Sequence, residues 1–240
     1  MASYLILGAG KFGCLALKRL ARQDAAATFL VVDRQPQALA AALALGIPRV
    51  AGTAAEAATF LAGNLAEDSP WDWLIPMVPV HLAWAWLLAG PLRGWEPAAP
   101  PDILGDLAPV AWRGPEGQWY LSRAAHRCPD DCDEPESVCP VSREPRKAAL
   151  SDELAAVSLP GFAIKVVASR QLAPGVGGYP PGTLLALARD LAGQGGRTLI
   201  ATACRCHGVV HGLKGPTPVG QTRKQKTENR KQKTVNYERL

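Results

Sequence analysis

The 240 residues, 48% apolar and 20% charged, suffice for one large α/β domain or two smaller ones and are too apolar for a disordered chain. The net charge of +5 sits in the tail: Gln221–Leu240 holds seven Lys/Arg and two Glu, which leaves nineteen residues of each sign before it. The body therefore has no basic footprint, and no nucleic-acid partner is expected.

The elements are predicted as follows. Ser3–Leu7 is a short apolar strand, Lys11–Arg22 has helical spacing, and Thr28–Val32 is a second strand closed by Asp33. Pro36–Leu45 reads as an Ala/Leu helix stopped by Gly46, Arg49–Ala51 as a short strand and Ala54–Leu65 as a further helix. Asp72–Val78 reads as a buried strand and Val80–Ala89 as the helix after it. Strand and helix alternate, which predicts a Rossmann-like parallel sheet with helices on both faces. Gly90–Pro109 is a Pro/Gly-rich connector, Val110–Trp112 and Gln118–Ser122 form a hairpin, and His126–Arg146 is a loop dense in Cys, Pro and acids. Ser151–Val157 is a short helix and Phe162–Ser169 a strand; Gly175–Gly182 is a glycine-rich loop, Thr183–Ala192 a helix and Arg197–Ala203 a last strand. The expected division is a dinucleotide-binding domain at 1–92, a smaller Cys-containing α/β part at 93–214 and a disordered basic tail at 215–240, where RKQKTEN and RKQKTVN nearly repeat.

The N-terminus lacks the basic region and apolar run of a signal peptide, and the apolar stretch Val78–Leu88, which holds Pro79 and His81, is too short to span a bilayer. The expected location is cytoplasmic. Thiols stay reduced there, so six cysteines point to metal binding or reactivity before disulfides.

Gly8-Ala9-Gly10-Lys11-Phe12-Gly13 fits G-x-G-x-x-G after a strand and at the start of a helix, with Asp33 at the end of the next strand. Gly8 permits the turn, Gly10 lets backbone approach a pyrophosphate, and Gly13 lets helix and strand pack. The free N–H groups of the helix start face the phosphates, and Asp33 suits a ribose hydroxyl. Asp33 favours NAD, and Arg34 beside it could instead meet the 2′-phosphate of NADP. The pattern YLILGAGKFG…FLVVDRQPQAL…GIPRVAGTA resembles the nucleotide-binding domain of potassium-transport regulators of the TrkA-N/RCK type over residues 4–60. The resemblance implies binding of NAD(H) or an adenine nucleotide by Gly8, Gly10, Gly13 and Asp33. Thr53 stands where that family usually has Asp.

Cys128, Cys132 and Cys139 are compactly spaced, and Cys204 and Cys206 follow a predicted strand. Together they offer sulfur ligands for zinc or an iron–sulfur cluster, with His126, His207 and His211 as spare ligands. Asp130, Asp131, Asp133, Glu134 and Glu136 would disfavour an anionic cluster and suit a divalent ion. Cys14 reads as a packing residue. His207 and His211, four apart, would share a face if that turn were helical. His81 is a candidate general acid or base, and Arg170 with Gly175–Gly178 a candidate anion cradle. Trp84 and Trp86 cannot share a helix face, so one is expected to be exposed or to face a second subunit, as in a homodimer.

The leading expectation is a cytosolic NAD(P)-binding protein with a Cys-ligated metal centre, active in redox chemistry; as an enzyme it would be an NAD(P)-dependent oxidoreductase. The alternatives are a nucleotide-sensing regulatory module with a structural metal, and a metal or cofactor handling protein.

Overall fold

The structure is a computed structural model, and it describes residues 1–216; the repeat in the basic tail lies outside the described residues. The first half runs β1 (Ser3–Leu7), α1 (Lys11–Gln23), β2 (Thr28–Asp33), α2 (Pro36–Leu43), β3 (Val50–Ala54), α3 (Ala57–Asn64), β4 (Trp73–Pro76) and α4 (Leu82–Ala89). Its four strands form a parallel sheet in the order β3-β2-β1-β4, with Leu5 beside Leu30 and Leu74 in register. This is the Rossmann-like architecture that the alternating pattern predicts. Successive side chains of a strand point to opposite faces. Accordingly, Tyr4 and Ile6 pack with Leu17 and Leu20 of α1, while Leu5 and Leu7 pack with Leu61 of α3 and Trp86 of α4.

The second half contains β5 (Glu96–Ala98), a 3-10 helix (Asp102–Leu107), β6 (Val110–Arg113), β7 (Trp119–Ser122), α5 (Leu150–Ala156), β8 (Ala163–Ala168), β9 (Arg170–Ala173), β10 (Val176–Gly178), α6 (Pro181–Ala192), β11 (Arg197–Ala203) and β12 (His207–Lys214). Its sheet is mixed, in the order β6-β7-β12-β11-β8, with β5 on the far half of β12. Only the β8–β11 pair is parallel, and α6 lies between those two strands in sequence.

Three expectations change. The connector Gly90–Pro109 carries β5 and the 3-10 helix. Gly175–Gly178 belongs to a β9–β10 hairpin, where glycine is needed because a Cβ on Gly178 would lie 2.6 Å from Ile75 Cδ1 and 2.8 Å from the Leu74 carbonyl oxygen. Residues 207–211 are strand, so His207 and His211 share no helix face.

The halves expected at 1–92 and 93–214 share a core. One buried cluster joins Leu5, Leu74, Trp86 and Leu87 to Val167, Tyr179, Leu184, Ile200 and Leu213. Leu74 and Tyr179 also exchange backbone hydrogen bonds of 2.9 and 3.1 Å, which fasten the second half to the edge of the first sheet. No helix among the described residues is long and apolar enough to cross a membrane.

Candidate functional site

The glycine turn follows from close packing. Gly8 has φ +111°, and a Cβ there would lie 2.5 Å from the Met77 carbonyl oxygen. A Cβ on Gly13 would lie 1.9 Å from the Gly8 carbonyl oxygen, so α1 rests directly on the turn. Gly10 is the N-cap of α1, with no side chain capping its N–H groups and no acid in the first turn. A Cβ on Gly10 would meet nothing within 4 Å. The turn thus presents free N–H groups to open space, which is what an anion requires. Asp33 ends β2 and turns toward this loop, its carboxylate accepting the Ala9 N–H at 2.6 Å and the Gln35 N–H at 2.8 Å. Lys11, Phe12 and Arg34 are exposed around it. Cys14 packs against the α1 core, as expected, with its thiol 3.4 Å from the Ala9 carbonyl oxygen.

The other cysteines come together. Cys128, Cys132, Cys139, Cys204 and Cys206, with His126 and His207, line one cavity of about 990 Å³. Four of the five cysteines are fixed by backbone hydrogen bonds. Cys204 and Cys206 sit in the turn between β11 and β12, closed by the Cys204 N–H on the His207 carbonyl. Leu150 and Ser151 at the start of α5 donate to the Arg205 and Cys204 carbonyls, so a helix end and a hairpin turn satisfy each other. Cys139 is held in a small bridge, where its N–H donates to Glu144 and its carbonyl accepts from Arg143. The Cys132 carbonyl accepts from the Gly175 N–H and from Gln171 Nε2. The expected anion cradle therefore holds the cysteine loop.

Cys128 Sγ lies 3.7 Å from His207 Nε2, and Cys139 Sγ 3.8 Å from His126 Nε2. Arg146 donates to Cys206 Sγ, and its buried Nε has no hydrogen-bond partner. The sulfurs differ electrostatically. Burial, with Glu134 beside it, pushes the Cys204 thiol up to about 12, whereas the Ser142 N–H and hydroxyl lower Cys139 to about 7. Burial also raises Cys128 and Cys206, and Arg146 acts against it at both. The loop's acids are partly answered: Asp130 pairs with Lys11, Glu136 lies 3.7 Å from Arg205, and Glu134 accepts the Arg205 N–H at 3.1 Å. As they stand, no three Cys, His, Asp or Glu side chains among the described residues group tightly enough to hold a metal ion.

His81 is placed elsewhere. It is buried at the N-cap of α4, with Nδ1 3.0 Å from His211 Nδ1 and Nε2 2.9 Å from Thr202 Oγ1. His211 is stacked on Trp84 and lies 3.5 Å from Glu116. His81 is not among the residues lining the thiol cavity. Trp86 is buried, and Trp84 is half-buried with its indole N–H on the Gly212 carbonyl at 3.2 Å. Both tryptophans are engaged within the chain because α4 lies between the two halves.

Fold and site together define a Rossmann-like α/β protein with a thiol-lined cavity in its second half. Residues 80–215 match the family described as "Uncharacterized protein, C-terminal domain". A protein of Archaeoglobus fulgidus described as "Uncharacterized protein" is 31% identical over 222 residues, covering 88% of this chain and 98% of the relative. The chain belongs to this family. No solved structure matches it. All five cavity cysteines fall within the matched segment.

Proposed function

We propose that the chain is a dinucleotide-binding protein that carries a cysteine-ligated metal centre and works in redox chemistry. The observation that carries this reading is the convergence of five cysteines from two distant stretches, with His126 and His207, on one cavity. Soft anionic sulfur suits zinc and iron–sulfur clusters alike. A cluster, when bound, would supply the one-electron transfer that redox work needs, and zinc would not. Cys128, Cys132, Cys139 and Cys206 would hold it, with Cys204 as the fifth candidate. Arg146 would offset their negative charge and keep a hydrogen bond on Cys206.

The free α1 N-terminus behind Gly10 and the placement of Asp33 support the nucleotide half of the reading, as does the TrkA-N/RCK resemblance of residues 4–60. NAD is favoured over NADP because an acid, Asp33, ends β2.

Anaerobic purification, followed by a visible spectrum and assays of iron, acid-labile sulfide and zinc, tests the metal. Iron with sulfide and a band bleached by dithionite is the expected result. Stoichiometric zinc in a colourless protein would keep the metal and remove the electron transfer. Protein free of both would overturn the centre. For the nucleotide, Asp33→Ala should weaken NAD binding by about tenfold in calorimetric titration, the cost of about one charged hydrogen bond.

A further inference from the structure

A carboxylate of the cysteine loop pairs with a side chain of the glycine motif. Asp130 Oδ2 lies 2.5 Å from Nζ of Lys11, the first residue of α1 and part of the glycine motif. Arg19 donates to the Asp130 backbone carbonyl at 2.6 Å. Two cations of α1 thus hold Asp130, Lys11 by its carboxylate and Arg19 by its backbone carbonyl. Asp130 lies midway between Cys128 and Cys132, so this contact also ties the thiol loop to the glycine turn.

We propose that the phosphates of a bound dinucleotide displace Asp130 from Lys11 and thereby loosen the loop that holds Cys128 and Cys132. The inference rests on the nucleotide reading above. A phosphate and a carboxylate brought together onto one ammonium repel each other, so the two contacts compete. The Lys11 side chain is 62% exposed, which makes the internal pair weak and displaceable. Linkage then requires that the pair opposes nucleotide binding to the same extent that the bound nucleotide opposes the pair.

The test is calorimetric titration of NADH into the full chain as purified and into Asp130→Asn, Lys11→Ala, the double variant and Asp33→Ala. Asp130→Asn should bind about three- to fivefold tighter than the unaltered chain, in line with the loss of an exposed ion pair. The gain should vanish in the Lys11→Ala background, because simple charge removal would persist there and competition for Lys11 would not. Saturating NADH should also speed iodoacetamide modification of Cys128 and Cys132 relative to Cys14, read by peptide mass spectrometry, and should not do so in Asp130→Asn. If NADH binds and Asp33→Ala weakens it while Asp130→Asn equals the unaltered chain, the competition is refuted and the nucleotide reading stands. If neither the unaltered chain nor any variant binds NADH, the nucleotide reading falls and the competition with it.

Discussion

Gly10 and Gly13 separate binding from folding. A methyl on Gly13 would meet the Gly8 backbone at 1.9 Å, whereas one on Gly10 would meet nothing within 4 Å. Gly13→Ala must push α1 off β1, an overpacking effect of about 1–3 kcal/mol or more that urea denaturation would register. Gly10→Ala should leave stability within about 0.5 kcal/mol while obstructing a pyrophosphate, so its signature is a lower NADH affinity at unchanged stability. A variant that lost stability in step with affinity would speak against that division. At the other buried site, burial and then the neighbouring His211 hold the His81 pKa well below its ordinary 6.5, so the folded protein keeps His81 neutral. The unfolded chain takes up the proton. The stability His81 contributes is therefore complete above about pH 6.5 and declines as pH falls below it. Replacing it with Gln removes this dependence, so the deficit of His81→Gln relative to the unaltered chain should be smaller at about pH 5.5 than at about pH 7.5, as measured by urea unfolding at both.

At the scale of elements, the instructive helix is α4. Its sequence, LAWAWLLA, is apolar all round, which marks a helix buried on more than one side. Trp86 packs into the core shared by both sheets, and Trp84 stacks on His211 at 4.3 Å and donates to Gly212 in β12. Trp86→Ala should cost about 3–5 kcal/mol, and Trp84→Ala should loosen β12 and expose the His81–His211 pair to faster hydrogen exchange. The same elements show what could be read from the chain. β1, α1 and β2 were legible because apolar runs, the glycine spacing and Asp33 agree, each constraining the next. β10 was not, because Gly177 and Gly178 look like loop residues until Ile75 and Leu74 approach them. β12 was obscured as well: positions four apart share a face in a strand and in a helix, so the His207–His211 spacing could not tell them apart. The cysteines were legible as a set. Their neighbour Arg146 was not, because nothing in its loop announces that the Ser137 carbonyl accepts its N–H at 2.8 Å while its side chain donates to Cys206.

For the whole molecule, the segments divided near residue 92 share one buried cluster, which predicts that they unfold together. Leu5, Leu74 and Trp86 of the first half share one dry cluster with Tyr179, Leu184, Ile200 and Leu213 of the second, and Tyr179 is bonded backbone to backbone with Leu74. The cysteine loop adds a second tie on the opposite side, through Arg19, whose guanidinium reaches both the Asp130 and Pro174 carbonyls. Cutting the chain at 92 would expose the apolar flank of β4 and the outer face of α4 at once, with no second layer to cover either. Calorimetry of the full chain should therefore show one cooperative transition, with calorimetric and van't Hoff enthalpies in agreement. A fragment of residues 1–92 should lack that transition and bind a hydrophobic dye. Two resolved transitions, or a fragment that melts cooperatively by itself, would place the stability in separate units and would leave the thiol cavity free to assemble without the glycine turn.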